Sequence, residues 1–278
     1  MSQFIPKDFD PSAKIAILAG QGAYPELLKK ELEKRGLPHC LMAFEGETSP
    51  QLREKFPESE RREANVGQLG KLLKNLKSCG ARYAIMAGQI TPKKLFRGMT
   101  PDLKAVMVLA TLKRRNAETI FGAIAREMAA IGVEMLDDRS FLDESLAPRK
   151  FFSGSSWKIK PEHLEHGMHI ARECARLDIG QGCVVSRGSV LAVEAFEGTD
   201  KMLERAGTFE AKDCLFAKTV KPSQDYRFDV PVIGERTIRK LAEAKIENVA
   251  VEAGKVIILE KEKVKKLAEE FGIKIFGV

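Results

Sequence analysis

Short apolar segments alternate with helical patterns through the first half of the chain. Apolar segments cover residues 14–20 and 39–44, and a helical pattern over residues 25–36 separates them. The alternation continues to a strand-like segment at residues 133–136. Strands separated by helices indicate a mostly parallel sheet covered by helices. The apolar runs are continuous, as expected of strands buried on both faces. The sequence therefore predicts an α/β fold that begins with a Rossmann-like, mostly parallel sheet.

The segment over residues 137–160 interrupts this alternation. It contains Pro148, a Gly154-Ser155-Ser156 cluster and the single tryptophan, Trp157, without a clear period. Such a stretch is typical of a linker, and 278 residues suffice for two domains. We predict an N-terminal α/β domain over residues 1–136, a linker over 137–160, and a C-terminal α/β domain over 161–278 that carries most of the catalytic candidates.

The second half mixes hairpin-like segments with helical ones. Strand-like residues 182–186 and 190–195 are separated by a short glycine turn, which predicts a β-hairpin. Residues 248–252 and 256–259 have the same pattern and predict a second hairpin. Helical patterns cover residues 161–177, 235–244 and 261–271. Hairpins combined with helices predict a mixed α/β sheet in this half.

The composition indicates in which compartment the protein lies and which kinds of partner it binds. No apolar run approaches the ~18 residues that a spanning helix needs, and the first residues lack the apolar core of a secretory signal. Five dispersed cysteines without a C-x-x-C spacing indicate reduced thiols. We therefore predict a cytoplasmic protein. Its formal net charge of +7 favours anionic partners such as phosphates or an acidic membrane surface.

A Gly20-Gln21-Gly22 turn follows the first predicted strand and precedes the first predicted helix. Backbone amides at such a turn can bind a phosphate or sugar oxygen, so these three residues are candidate substrate contacts. The third glycine of a dinucleotide fingerprint is absent, because position 25 is proline. A tight strand–helix turn without a ligand is the alternative.

Three of the four histidines, His163, His166 and His169, lie three residues apart on a predicted helix. Metal-binding helices usually pair such ligands with a carboxylate from elsewhere. The adjacent Glu162 and Glu165 instead indicate a solvated helix face. We assign no metal to these histidines.

Charged residues are densest between residues 194 and 230. In an extended Asp225–Asp229 segment, Asp225, Arg227 and Asp229 would share one face. A Mg²⁺ ion takes oxygen ligands from one or two carboxylates plus substrate phosphate, and neighbouring cations such as Lys221 would balance phosphate charge. A surface strand with salt bridges to Arg227 explains the same pattern, and the residues alone do not decide between the two.

Five blocks of this sequence occur in the order of one known family and span nearly the whole chain. They are Ala19-Gly-Gln-Gly-Ala-Tyr-Pro25, Leu177-Asp-Ile-Gly-Gln181, Ala192-Val-Glu-Ala-Phe-Glu-Gly-Thr-Asp200, Lys221-Pro-Ser-Gln-Asp-Tyr-Arg-Phe-Asp-Val-Pro-Val-Ile-Gly234 and Val251-Glu-Ala-Gly254. They resemble the UDP-2,3-diacylglucosamine pyrophosphatases of lipid A synthesis, the branch unrelated to calcineurin-like phosphoesterases. The third and fourth blocks are specific, whereas the first alone is not.

The resemblance implies a hydrolase that requires Mg²⁺ or Mn²⁺ and splits UDP-2,3-diacylglucosamine into UMP and 2,3-diacylglucosamine 1-phosphate. It implies Asp225 as the first catalytic or metal-linked carboxylate. The further metal candidates are Glu194, Glu197 and Asp200. The other catalytic candidates are Asp229, Lys221 and Arg227. The other substrate-binding candidates are Gln181, Gly198, Thr199 and Gln224.

One block departs from the expected family pattern. Where we expect Gly-Asp-Asp before the helix at Ile120, this chain has Asn116-Ala117-Glu118. Only Glu118 keeps a carboxylate, so the sequence leaves open whether this block supplies a metal ligand.

Partners follow from the implied substrate. Two acyl chains imply a protein that visits the anionic inner-membrane surface through an apolar lip and basic residues. A homodimer is left open by the sequence.

Two other function classes stay open. A dinucleotide-dependent oxidoreductase would hold NAD at Gly20 and Gly22. A nucleic-acid-binding module needs a basic stripe with interleaved aromatics. The three tyrosines and one tryptophan are dispersed, so we predict no nucleic-acid partner.

Overall fold

The computed structural model describes residues 2–90, 101–113 and 117–278, except for the side chain of Ala117. The chain divides into two compact units. The first contains Met1–Asp143 and Asp225–Asp229, and the second contains Glu144–Gln224 and Val230–Val278. The segment over residues 137–160, which the sequence marks as a linker, is thus shared between the units. The Asp225–Asp229 segment belongs to the first unit, although it lies far along the sequence from the rest of it.

The first unit contains a parallel sheet, which confirms the sequence prediction. In the described residues it has five strands in the order β3-β2-β1-β4-β5, an order also found in doubly wound sheets. All neighbouring strands pair in parallel. The strands are β1 (Lys14–Ala19), β2 (His39–Phe44), β3 (Arg61–Ala64), β4 (Ala81–Ala87) and β5 (Glu134–Met135).

Helices connect the strands of this sheet. They are α1 (Tyr24–Lys34), α2 (Pro50–Glu54), α3 (Leu69–Ser78), α4 (Leu103–Thr111) and α5 (Ala117–Ala130). One carboxylate, that of Asp102, caps two of them. It accepts from the backbone amide of Gly70 at 2.7 Å in α3 and from that of Ala105 at 2.9 Å in α4. An aspartate at the N-terminus of a helix satisfies amides that have no partner within the helix.

The second unit contains a mixed sheet, as predicted. Its described strands form a six-stranded sheet, β6-β13-β11-β9-β7-β8, and a two-stranded sheet, β10-β12. The strands are β6 (Lys150–Ser153), β7 (Gly182–Ser186), β8 (Ser189–Val193), β9 (Cys214–Lys218), β10 (Val232–Ile233), β11 (Asn248–Val251), β12 (Ile257–Ile258) and β13 (Lys274–Gly277). The helices are α6 (Pro161–Arg176), α7 (Thr199–Gly207), α8 (Glu235–Glu243) and α9 (Lys261–Glu270).

One of the two predicted hairpins is present. Strands β7 and β8 pair antiparallel, with Ser186 opposite Ser189. The prediction of a second hairpin is wrong. Strand β11 pairs in parallel with β9 and β13, and β12 pairs in parallel with β10. A glycine turn ends a strand but does not fix its partner. All residues of β11 are buried, which suits a central strand between two parallel neighbours.

Candidate functional site

The Gly20-Gln21-Gly22 turn connects β1 with α1 and contacts the end of β4. The backbones of Gln21 and Gln89 exchange hydrogen bonds of 2.8 and 3.1 Å. A Cβ atom on Gly20 would lie 2.5 Å from the carbonyl oxygen of Gln89, so only glycine permits this approach. Gly22 has a φ of +93°, and a Cβ atom there would have nothing within 4 Å. Packing therefore explains why position 20 is glycine. Gly22 instead combines a left-handed backbone with open space beside it.

A buried carboxylate lies beside this turn. The side-chain amide of Gln21 donates to Glu47 at 3.0 Å, and Glu47 is buried in the loop after β2. Thr48 fixes that loop, because its hydroxyl donates to the carbonyl oxygen of Ala19 and accepts from the amide of Phe44. The ends of β1 and β2 thus bring together a glutamine that the sequence identified and a glutamate that it did not.

The Asp225–Asp229 segment is a turn, so its predicted extended conformation is wrong. The carbonyl oxygen of Asp225 accepts from the amide of Phe228 at 3.1 Å, and its carboxylate accepts from the amide of Arg227 at 3.2 Å. An aspartate that binds the backbone two residues ahead closes a turn in this way. The alternating faces of a strand therefore do not apply to Asp225, Arg227 and Asp229.

Asp225 also forms a two-point ion pair with Arg227. Nε of Arg227 lies 2.9 Å from Oδ1 of Asp225, and Nη2 lies 2.7 Å from Oδ2. The hydrogen bonds from Arg227 hold the pKa of the Asp225 carboxyl below its usual range. Asp225 is thus a carboxylate at neutral pH, able to accept a hydrogen bond or bind a cation but not to donate a proton.

The aromatic residues of this turn attach it to the first unit. The Tyr226 ring lies under the guanidinium of Arg139. The backbone carbonyl oxygen of Tyr226 accepts from the amide of Asp138 at 2.7 Å. The Phe228 ring stacks on Phe121 of α5 with centroids 6.1 Å apart. These contacts explain why the segment belongs to the first unit.

Asp137 and Asp138, which follow β5, were not among the residues predicted from the sequence. Asp137 accepts three side-chain hydrogen bonds from Arg139, the shortest of 2.6 Å. Asp138 is buried and accepts from the amide of Met86 at 3.0 Å. Burial raises the pKa of the Asp138 carboxyl well above its usual value, and the negative charges of Asp137, Asp229 and Asp225 raise it further. The sequence feature that could have indicated these two residues is an Asp-Asp pair shortly after a strand-like segment. In parallel sheets, the carboxyl ends of the strands often carry functional groups.

In the second unit, Lys218 and Glu194 meet beside Thr199. Lys218 ends β9 and is buried. Its Nζ lies 3.9 Å from Oε2 of Glu194 and 3.2 Å from the hydroxyl oxygen of Thr199. Thr199 begins α7 and donates to Oε1 of Glu194 at 2.6 Å. Gly182 makes room for this group, since a Cβ atom there would lie 3.0 Å from Oε2 of Glu194. A buried lysine near a helix N-terminus is suited to bind an anion. Lys218 was not among the site residues predicted from the sequence.

The other predicted residues of the second unit lie in separate pairs. Gln181 accepts at its carbonyl oxygen from the amide of Thr219 at 2.9 Å, and the side-chain oxygen of Gln224 accepts from the amide of Lys221 at 3.1 Å. Gly198 precedes α7 with a φ of +80°. The remaining ion pairs are Lys221 with Asp178, Glu197 with Arg205, and Asp200 with Arg236.

Comparison with known proteins identifies the family. Residues 14–145 match the model of the LpxI N-terminal domain, and residues 153–276 match that of the LpxI C-terminal domain. The UDP-2,3-diacylglucosamine pyrophosphatase LpxI of Caulobacter vibrioides is 32% identical over 281 residues, which cover 95% of this chain and 97% of that protein. This chain belongs to the LpxI family. The resemblance carried by the five sequence blocks is thereby confirmed.

The two LpxI domain models agree with the division into units. The N-terminal model ends at residue 145 and the C-terminal model begins at residue 153. The main boundary between the units falls at Asp143 and Glu144. The exception is the Asp225–Asp229 turn, which lies within the C-terminal LpxI model but belongs to the first unit.

The four metal candidates of this LpxI-family chain are divided between the two units. Asp225 belongs to the first unit and the other three to the second. Over residues 2–90, 101–113 and 117–278, no three His, Cys, Asp or Glu side chains are placed to hold a metal ion. Glu197 and Asp200 are instead held by arginines. Asn116, in the block that departs from the family pattern, lies outside the described residues. Glu118 is exposed in the first turn of α5.

Proposed function

We propose that this chain is a hydrolase that splits the pyrophosphate of UDP-2,3-diacylglucosamine into UMP and 2,3-diacylglucosamine 1-phosphate in lipid A biosynthesis. The observation that carries the proposal is the 32% identity to the Caulobacter vibrioides pyrophosphatase, which extends over 95% of the chain. Because the similarity includes both domain models, it concerns the whole protein rather than a shared module.

The second unit has a group suited to a phosphate. Hydrolysis of a pyrophosphate requires neutralisation of the phosphate oxygens and orientation of one water molecule, with little covalent chemistry by the protein. Lys218 supplies a positive charge shielded from solvent, where it interacts more strongly with an anion than a surface lysine does. Thr199 supplies a hydroxyl at the start of α7, whereas the amide of Gly198 already donates to the carbonyl oxygen of Ala195 at 3.1 Å. Lys221 and Gln181 are additional substrate contacts in this proposal.

The first unit has a group suited to orienting water or a cation. Asp225 is ionised, and Arg227 fixes its orientation through two hydrogen bonds. The amide of Asp229 donates to the carbonyl oxygen of Asp225 at 3.4 Å, and the amide of Asp138 donates to the carbonyl oxygen of Tyr226 at 2.7 Å, so both residues belong to the same turn region. We assign Asp225 the main catalytic role and Asp229 a supporting one. Arg227 positions Asp225, and the amides around Gly22 are a candidate contact for the sugar or a phosphate.

A divalent cation, Mg²⁺ or Mn²⁺, is part of this proposal. Carboxylate oxygens are the donors that such hard cations take, and Asp225 and Asp229 supply them among several negative charges. Glu194, Glu197 and Asp200 pair with cationic side chains, as Asp225 does with Arg227, and they are the further candidate ligands in the second unit. When bound, the cation would neutralise phosphoryl oxygens and lower the pKa of a water molecule.

The test is UMP release by the purified full-length chain. The substrate is UDP-2,3-diacylglucosamine dispersed in detergent, and UDP-N-acetylglucosamine, which lacks the acyl chains, is the control. We expect UMP and the lipid 1-phosphate from the acylated substrate with Mg²⁺ or Mn²⁺ and none with EDTA. If neither cation supports UMP release, the hydrolase proposal is wrong. Equal release in EDTA would refute the cation requirement alone.

A further inference from the structure

Helix α4 exposes an apolar stripe. Leu103 is 78% exposed, Val106 48% and Met107 59%, and Ala110 is exposed as well. These residues occupy positions i, i+3, i+4 and i+7, which lie along one face of an α-helix. We call this set, Leu103, Val106, Met107 and Ala110, the α4 stripe.

The opposite face of α4 is also apolar and packs into the first unit. Ala105 is buried in the core, and Val108 packs against it. A surface helix usually presents polar residues outward. Among the described residues, no other helix contains an exposed large apolar side chain within its bounds. Grouped exposed apolar residues mark an interaction surface more often than isolated ones do.

The chain around α4 is strongly basic. Lys113, directly after the helix, is exposed. Asp102 is the single acidic residue between residues 91 and 116, and hydrogen bonds to the amides of α3 and α4 occupy its carboxylate. In the sequence, further basic residues flank the helix on both sides, outside the described residues: Lys93, Lys94, Arg97, Arg114 and Arg115.

We propose that the α4 stripe docks on an anionic bilayer surface, with its apolar side chains at the acyl boundary and Lys113 at the headgroups. An apolar helix face with basic flanks is the pattern of helices that lie in a membrane interface. No helix in the described residues is long and apolar enough to cross a membrane, so α4 lies on the bilayer rather than spanning it. The inference rests on the proposed function, in which the substrate carries two acyl chains.

Charge favours a bilayer over a second copy of this chain. Two α4 stripes packed together would bring two basic flanks close to each other, and like charges across an interface are costly. An anionic membrane surface instead attracts each of these residues. The formal net charge of +7 acts in the same direction.

The experiment is vesicle flotation of the full chain without substrate, so that it does not depend on catalysis. Vesicles of phosphatidylglycerol with phosphatidylethanolamine are compared with pure phosphatidylcholine. Met107→Asp should bind the anionic vesicles at least about tenfold more weakly than the wild type, because one apolar contact is lost and a like charge is added. The matched control is Phe209→Asp, since Phe209 is 56% exposed in the second unit against 59% for Met107.

We expect the control to float like the wild type, both variants to keep the wild-type melting temperature, and added salt to weaken wild-type binding. Equal flotation of Met107→Asp and the wild type would overturn the proposal, as would a wild type that binds no vesicle.

Light scattering adds a third test: a dimer that Met107→Asp dissociates, with vesicle binding unchanged, would show that a second copy covers the stripe. If Met107→Asp loses flotation but releases UMP normally from detergent-dispersed substrate, the stripe acts in docking and not in catalysis. Absence of UMP release with normal flotation would refute the proposed function alone.

Discussion

The guanidinium carbon of Arg139 lies 3.4 Å from the centroid of the Tyr226 ring. The same guanidinium forms a two-point ion pair with Asp137 and lies 4.1 Å from the centroid of the Phe4 ring. A planar cation can make both kinds of contact at once, because its edge binds the carboxylate while its faces contact the rings. Arg139 therefore links the residues after β5 to the turn that carries Asp225.

Arg139→Lys should loosen this link. Lysine keeps the charge but loses the flat surface and the two-point pairing, so we expect the free energy of unfolding to fall by about 1–2 kcal/mol. UMP release should also fall, because the Asp225 turn is held less firmly. Urea unfolding and UMP release measure the two effects.

Arg82→Lys is the control for this change. Arg82 is exposed and its guanidinium carbon lies 5.7 Å from the Tyr83 ring centroid, so its replacement should cost less than about 0.5 kcal/mol. Equal losses in the two variants would show that the Arg139 contacts have no special weight.

Asp225→Ala should reduce turnover by at least ~100-fold while leaving substrate affinity largely intact, as expected of a group that acts mainly in the transition state. Steady-state UMP release at saturating Mg²⁺ and the melting temperature are the measurements. Asp213→Ala removes the aspartate of another arginine pair, that of Arg187 with Asp213, and should retain wild-type turnover. A folded Asp225→Ala enzyme with near-wild-type turnover would refute the role of Asp225.

Lys218→Met should lower kcat/KM at least about tenfold, because a buried cation for the phosphate is lost. It should also destabilise the protein, because Glu194 is left without its cation. The double variant Lys218→Met/Glu194→Gln removes both charges and should recover stability without recovering activity. If activity returns together with stability, Lys218 has only a structural role.

Asp138→Asn should change how stability depends on pH. The folded-state pKa of Asp138 is raised above 3.8, its ordinary value, so its contribution to stability is complete below that value and is lost as the pH rises through the folded pKa. Asparagine keeps an oxygen for the amide of Met86 but has no proton to lose. Relative to the wild type, the variant should therefore gain stability as the pH rises above about 4.

Urea unfolding at several pH values, with EDTA present, measures this difference. The nearby charges of Asp137, Asp225 and Asp229 raise the pKa of Asp138, so they are left unchanged in the experiment. A difference between wild type and variant that does not vary with pH would contradict the prediction.

Much of the fold could be predicted from local patterns. Continuous apolar runs predicted strands of the first sheet, and the structure has them at β1 and β2. Helix bounds were also close: α9 was expected over residues 261–271 and covers Lys261–Glu270. These features are local because side-chain period, proline and glycine act within a few residues of the chain. Membership of the LpxI family was likewise evident from sequence blocks.

Pairing between distant segments required the tertiary structure. The sequence around Gly254 indicated a hairpin, but β11 is hydrogen-bonded to β9 and β13 instead, because a buried strand takes its partners from the whole sheet. The same limit applied to the site. Asp225 and Arg227 were identified, yet their turn, its attachment to Arg139 and the burial of Asp138 depend on residues far apart in the chain. The sequence determined which chemical groups are present, and long-range packing decided which of them meet and which are shielded from water.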